Sequence, residues 1–256
     1  MLRTVAERLS RGRSFRYRLP KIYGGCRFYI TPEAGLRYWI PSRGIKADET
    51  LLKNAAEMVK PGSVVWDVGA NMGLFSFAAA GLAGANGRVY AFEPDAVMAR
   101  LLRRSARLNP QAAPVEVIPC AVAEDLALAQ FQIAQRSRAS NALEGFGLSQ
   151  IGGVREMQTV LAVSLDWLAD RLPPPDVLKI DVEGAELNVF RGARQLLKTK
   201  RPTLIFELTP QNWDEEFRLL RELGYVLFDS RLPPGGRMPL NRPARNILGF
   251  PLKRCQ

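Results

Sequence analysis

The chain has 256 residues, 47% of them hydrophobic, a net charge of +11 and no histidine. That length can bury a full core as one α/β domain, and the missing histidine excludes a Ser-His-Asp triad, a histidine general base and any histidine metal site. Cys26, Cys120 and Cys255 are odd in number and lack a C-x-x-C spacing, so neither a disulfide framework nor a zinc knuckle is expected, and a reducing cytoplasm fits best.

The chain opens on Arg3, Arg8, Arg11, Arg13, Arg16, Arg18 and Lys21 against only Glu7, and closes on Arg231, Arg237, Arg242, Arg245, Lys253 and Arg254. Such ends attract polyanions: nucleic acid, an anionic membrane face or a phosphorylated glycan precursor. Charge alone does not rank these, and solvated basic ends are an equal alternative. No RNP-like aromatic pattern, helix-turn-helix signal or C₂H₂ spacing is present. Residues 1–7 hold no long apolar core, and the longest weakly apolar stretch, Leu74–Ala85, is too short and too glycine-rich to span a bilayer, so no transmembrane segment is expected.

A short extended segment is expected near Arg27–Ile30, then a helix from about Asp48 to Met58, closed by Pro61-Gly62. Strands and helices then alternate: strand Val64–Val68, helix Leu74–Leu82, strand Arg88–Phe92, helix Asp95–Leu108, strand Val115–Ile118. Between Ala121 and Thr159 the pattern loosens. Gln130–Ala134 reads as an extra strand, and Arg136–Gly153, rich in Ser, Gly, Asn and Arg, as a loop over the active site. The alternation resumes with strand Thr159–Val163, helix Asp166–Arg171, a Pro173-Pro174-Pro175 spacer, strand Val177–Ile180 and helix Ala185–Lys198. Strand Thr203–Glu207, helix Trp213–Leu223, strand Val226–Asp229 and a last strand near Asn246–Phe250 follow. Leu232–Gly236 is the expected hairpin loop that makes the final pair antiparallel, while the earlier alternation predicts parallel strands with crossover helices.

Chemistry concentrates at strand ends. Val64–Val68 runs into Gly69-Ala70-Asn71-Met72-Gly73, a small-residue turn opening a helix, where glycines let a ligand approach bare backbone and helix amides. Glu93 ends the next strand, placed to accept hydrogen bonds from two ribose hydroxyls. A dinucleotide fingerprint needs G-x-G-x-x-G, but the pattern here is D-x-G-x-N-x-G, with Asn71 at the second glycine and no third. Its acid, Asp67, suits a cofactor with a cationic amino-acid head.

This turn resembles the first motif of the class I S-adenosylmethionine-dependent methyltransferases. With Ala91-Phe92-Glu93-Pro94, Ser164-Leu165-Asp166, Lys179-Ile180-Asp181-Val182-Glu183-Gly184, Val189-Phe190-Arg191-Gly192-Ala193 and Arg201–Glu207, the chain resembles the FkbM family over about Leu51 to Tyr225. The Lys179–Gly184 motif is the most specific of these. The resemblance implies a Rossmann-like α/β fold, a mostly parallel doubly wound sheet with an antiparallel last strand, in one methyltransferase domain over 51–256 preceded by a basic lead-in over 1–50. It implies S-adenosylmethionine as cofactor, with Asp67, Gly69, Ala70, Asn71, Gly73, Glu93, Cys120, Ala121 and Asp181 as its expected contacts.

Because a sulfonium already carries an activated methyl group, the protein must chiefly align an acceptor oxygen and, for an alcohol, take its proton. Asp181, Glu183 and Glu207 are the candidate bases. Helix capping or pairing with Lys179 is the alternative for these acids. Magnesium held by oxygens of Asp181, Glu183 or Glu207 is compatible with these residue types but not expected. Pro119-Cys120 follows the third strand where cytosine C5 chemistry would need the fourth, and no Asp/Asn-Pro-Pro-aromatic tetrad supports adenine N6 methylation.

What the resemblance implies is O-methylation of a sugar, as in glycan or glycolipid biosynthesis, or of a secondary metabolite. An RNA methyltransferase is the alternative enzyme, favoured only by the basic ends. A non-catalytic cofactor-binding or membrane-associated accessory protein is the alternative class. The expected location is cytoplasmic, with a peripheral contact between the basic N-terminus and an anionic membrane compatible with the charge.

Overall fold

The computed structural model describes residues 6, 8–147, 153–208 and 212–252. Cys255, Arg3, Glu7, Lys253, Arg254 and positions 148–152 of the expected loop lie outside them.

A two-stranded hairpin, β1 (Phe15–Arg18) and β2 (Arg27–Ile30), leads through α1 (Pro41–Ala47) and α2 (Glu49–Met58) to the central sheet. That sheet gathers β3 (Val64–Val68), β4 (Arg88–Phe92), β5 (Val115–Ile118), β10 (Val177–Ile180), β11 (Thr203–Glu207), β12 (Tyr225–Asp229) and β13 (Asn246–Pro251). Their spatial order is β5-β4-β3-β10-β11-β13-β12. The first five are parallel, and β13 inserts between β11 and β12, antiparallel to both. This is the Rossmann-like α/β arrangement expected from the sequence, with its single reversed strand. The parallel strands read as apolar runs because both faces are covered. Alternate residues go to opposite cores: Val65 and Val89 face Phe28, Leu52, Phe77 and Leu102, whereas Trp66 and Tyr90 face Leu178, Phe190, Leu197 and Leu220.

The crossover helices are α3 (Leu74–Ala83), α4 (Ala96–Ala106), α5 (Leu165–Ala169), α6 (Glu186–Arg191), α7 (Arg194–Thr199) and α8 (Trp213–Glu222). The single helix expected over Ala185–Lys198 is in fact two. Gly192 sits against the backbone of Ala123, where an added Cβ would lie 2.4 Å from the carbonyl oxygen, and its own carbonyl accepts the N–H of Asp166. The Asp166 carboxylate then accepts the N–H groups of Gln195 and Leu196, at 3.0 and 2.7 Å, and starts the second helix afresh. The Ser164-Leu165-Asp166 motif is thereby tied to Gly192.

Between β5 and α5 the chain builds a second, four-stranded sheet in the order β6-β9-β7-β8, from β6 (Ala121–Val122), β7 (Ala127–Ala134), β8 (Ala142–Leu143) and β9 (Val154–Val163). The strand expected over Thr159–Val163 belongs to this sheet and not to the central one. The β7/β9 pair is longer than the sequence suggested: the added stretches 127–129 and 154–158 expose Leu128, Val154 and Met157 to solvent, which hides the usual alternation. The segment before residue 50 packs into the main core: Phe28 stacks on Phe77 at 5.7 Å, and the Tyr29 N–H donates to Ser105 Oγ at 2.9 Å. Among the described residues no helix is long and apolar enough to cross a membrane.

Candidate active site

A cavity of about 650 Å³ opens at the carboxyl ends of the parallel strands. Of the expected site residues, Gly69, Asn71, Glu93, Cys120, Ala121, Asp181, Glu183 and Glu207 line it, whereas Asp67, Ala70 and Gly73 do not.

The turn after β3 holds Gly69, Asn71 and Gly73 at φ of 73°, 50° and 94°. The missing Cβ at both glycines answers to the interior. A Cβ on Gly69 would lie 1.9 Å from the Asp181 carbonyl oxygen, and one on Gly73 within 2.6 Å of Leu102 and Phe77. Asn71 tolerates its left-handed backbone because its Oδ1 accepts the following Met72 N–H at 2.7 Å. The N–H groups of Gly69 and Ala70 both donate to the Phe92 carbonyl, stitching the turn to the end of β4.

Glu93 completes that attachment. Its Oε2 accepts the Asn71 N–H at 2.6 Å and its Oε1 the Asp95 N–H at 2.8 Å. One donor per oxygen leaves lone pairs on each for further donors. Burial, and then Asp95 close by, push the Glu93 carboxyl up to about 8.

Asp67 stands elsewhere than the sequence suggested. It is fully buried, accepts the Ser76 hydroxyl at 2.5 Å and pairs with the Lys179 ammonium at 3.0 Å. Asp67 and Lys179 are register partners on adjacent parallel strands, so both project to the same face. Oδ1 has the ion pair and, among the described residues, no hydrogen bond, so the influence of Asp67 on the cavity passes through Lys179. That ammonium also donates to the Gly69 carbonyl at 2.8 Å and lies 3.6 Å from Asp181 Oδ2.

Beyond Asp181 the lining turns polar. Glu183, at φ 55°, is held up to about 8, first by burial and then by Asp181, Glu186 and Glu207. Burial and Asp181 also raise Glu207, against the Arg245 guanidinium, whose Nε donates to it at 3.2 Å. Ser230, Arg231, Arg245 and Asn246 close this end, and the buried Ser230 hydroxyl has no partner among the described residues. Cys120 lines the opposite end, where burial pushes its thiol up to about 12 and leaves it unreactive.

Sequence reasoning missed a buried network that fixes one wall. Arg138, in the connection between β7 and β8, donates through Nε to Glu33 at 2.9 Å and through Nη1 to Asp95. Asp95 also accepts from Asn141 Nδ2 at 2.8 Å and caps α4 through the Val97 N–H. An N-cap signal was legible in Asp95, but its long-range partners carry none. Among the described residues no group of three or more Cys, Asp or Glu side chains is placed to hold a metal ion.

With this geometry in hand, comparison with known proteins is decisive for the family: the model of the methyltransferase FkbM domain matches residues 67–227. The chain belongs to the FkbM methyltransferase family. The hexuronic acid methyltransferase AglP of Haloferax volcanii is 26% identical over 160 residues, which cover 61% of this chain and 61% of that protein. The matched region therefore spans under two thirds of that relative's length. Among solved structures, methyltransferase FkbM from Methylobacillus flagellatus KT shares 16% identity and a TM-score of 0.49, covering 78% of this chain and 52% of that one. An S-adenosylmethionine-dependent O-methyltransferase from Thermotoga maritima shares 16% identity and a TM-score of 0.46, covering 81% and 66%. As an FkbM methyltransferase, the chain lines the cavity with Lys179, Ile180, Asp181, Val182 and Glu183 of its most specific motif.

Proposed function

We propose that this FkbM methyltransferase transfers the methyl group of S-adenosylmethionine to a hydroxyl of a saccharide. The observation that carries the reading is the division of one cavity into two ends: Glu93 with the Gly69–Asn71 turn at one, and Asp181, Glu183, Glu207, Ser230 and Asn246 at the other.

The first end fits the cofactor. Glu93 has acceptor capacity left over from its two backbone donors, which suits a vicinal diol, and Cys120 and Ala121 offer a small apolar surface beside it. When bound, the cofactor supplies an electrophilic methyl group. In our reading Glu93 holds the ribose, Gly69 and Asn71 present backbone to the amino-acid part, and Cys120 and Ala121 border the adenine. Asp67 acts at one remove through Lys179, while Ala70 and Gly73 shape the turn from behind.

The second end suits a polyol. It offers carboxylates, a buried hydroxyl, an amide and guanidinium groups, with Phe206 beside Glu207 as an apolar surface for a sugar ring. Asp181 is the proposed base, its side chain 40% exposed at the strand tip, with Glu183 and Glu207 close by. The hexuronic acid named for the archaeal relative favours a uronic or neutral hexose acceptor in glycan assembly. Residues 1–50 would serve the domain over 51–256 as a lead-in that also supplies cavity wall through Ala34, Gly35 and Arg37. A peripheral contact of the basic N-terminus with an anionic membrane would suit a lipid-linked acceptor.

The test is incubation of the purified protein with methyl-labelled S-adenosylmethionine and soluble hexose or hexuronic acid oligosaccharides, followed by mass spectrometry of the glycan. Addition of one methyl group at a hydroxyl is expected. Label appearing in RNA with none in any glycan would overturn the reading.

A further inference from the structure

Two groups that the mechanism assigns separate tasks, the turn that receives the cofactor and the acid that receives the proton, converge on one buried ammonium. Lys179 is 4% exposed, on the third residue of a fully buried strand. It has four neighbours: Asp67 Oδ1 at 3.0 Å, the Gly69 carbonyl at 2.8 Å, the Val68 carbonyl at 3.4 Å and Asp181 Oδ2 at 3.6 Å. Asp67 is in turn locked by the Ser76 hydroxyl of α3. A buried ammonium in the floor of a sheet is costly unless its charge and protons are matched, so retention of this set calls for a role.

We infer that Lys179 is a positioning residue that joins cofactor binding to proton removal, fixing the Gly69 carbonyl on one side and aiming the Asp181 carboxylate into the cavity on the other. The inference rests on the reading of Asp181 as the base. The charged groups that face Asp181 are Lys179 on its own strand, Glu183 beyond it, Glu207 on β11 and Asp48 at the α1–α2 junction, with Arg245 reaching it across Glu207. Three of these are acids. Lys179 is the cation in direct contact with it, and it stays charged: burial opposes its proton, but Asp67 and Asp181 outweigh that and raise its pKa. Through space it also favours the ionised form of Glu93, at the far end of the cofactor site.

Removing Lys179 alone would strand the Asp67 charge in the core. The informative variant is therefore Asp67→Asn with Lys179→Met, which deletes both charges and keeps an acceptor for Ser76. The variant is checked for folding by thermal melting, for cofactor affinity by calorimetry, and for kcat and acceptor KM. Cofactor Kd should rise roughly 10-fold or more, as for loss of a hydrogen bond to a charged group. With cofactor saturating, kcat should fall roughly 10-fold or more while acceptor KM changes little, because the base loses its aim and the groups that bind the acceptor are untouched. A folded variant with unchanged Kd and unchanged kcat overturns the inference.

Asp181→Asn run beside it separates the two readings. If that variant keeps wild-type turnover, the base assignment fails, while the Kd of the double variant still decides whether Lys179 holds the turn. Should the double variant not fold, Lys179→Arg keeps the charge but should still lower affinity and kcat, since a planar guanidinium cannot fill the site of a tetrahedral ammonium between Asp67 and Gly69. Unchanged affinity and kcat there likewise overturn it.

Discussion

The Asn71 N–H donates to Glu93 Oε2 at 2.6 Å, across 22 residues of sequence and two neighbouring strands. One carboxylate thus shapes the turn after β3 while standing at the end of β4, so the two halves of the proposed cofactor site form together. Asp95 completes the arrangement by donating its own N–H to Glu93 and accepting from Arg138 and Asn141.

Cofactor affinity should therefore depend on pH through Glu93. Burial and Asp95 hold this carboxyl up to about 8, so a proton is bound at neutral pH. Ribose hydroxyls donating to it favour the ionised form, so binding at pH 7 should release a proton and tighten as pH rises towards 8. Calorimetry in buffers of different ionisation enthalpy checks this. Glu93→Ala should cost about 1.5–3 kcal/mol of binding, and Glu93→Gln should abolish the pH dependence. Wild-type affinity in either variant would remove Glu93 from the site.

The wall at Arg138 sets a second expectation. Arg138→Met would leave Asp95 a buried acid without this cation and Glu33 with Arg155 at 3.6 Å, a change worth about 3–5 kcal/mol of stability. Burial opposes ionisation of Glu33, but Arg138 and the Gly12 N–H outweigh it and lower its pKa. Its stabilising share is present above the ordinary carboxyl range and is lost as pH falls through the lowered value. The variant should melt earlier at neutral pH and lose less than the wild type on acidification. Equal sensitivity to acid in both proteins would show that the network contributes little.

How much of this was legible in the sequence differs from element to element. The runs at Val64–Val68 and Val177–Ile180 declare themselves because both faces are buried, and Pro233-Pro234-Gly235 marks the approach to the reversed strand. The outer end of the β7/β9 hairpin is obscured by exposed apolar residues, and β1 alternates arginine with aromatic residues, which reads as a basic tail. At the site, strand-end acids were legible by position. What each acid touches was not: Asp67 meets Lys179 across 112 positions, and Arg138 meets Glu33 across 105. The missing Cβ of Gly69 makes room for Asp181 backbone, a contact set by sheet register.

Raised carboxyls also predict an inverted stability profile. Glu93, Glu183 and Glu216 all sit near 8 in the folded chain against an ordinary 4.5, each chiefly through burial. Between those values the folded state binds protons that the unfolded state has released, so stability falls as pH climbs through the window. Thermal melting should give a higher Tm at pH 5.5 than at pH 8 for the cofactor-free protein. Glu216→Gln, remote from the cavity lining, should flatten the slope. A Tm that rises steadily to pH 8 would show that these carboxyls ionise freely.

The mechanism stands or falls on Asp181. Strand β10 carries it to the cavity, where Lys179 pairs with one side and the rest of the carboxylate faces the space shared with Glu183 and Glu207. The methyl group to be moved is already activated, so a base at the acceptor oxygen contributes a factor of roughly 10²–10⁴, not the whole rate. Asp181→Asn keeps the shape and removes the base, so the fold should survive and turnover should drop by that factor. Cofactor Kd should change little, since the Gly69 turn and Glu93 are left intact. Glu183→Gln and Glu207→Gln, measured on the same acceptor, decide among the acids. If Asp181→Asn turns over normally and one glutamate variant is dead, proton removal belongs to that glutamate. If all three remain active, alignment of the hydroxyl alone accounts for the reaction, and the acids serve to bind the sugar.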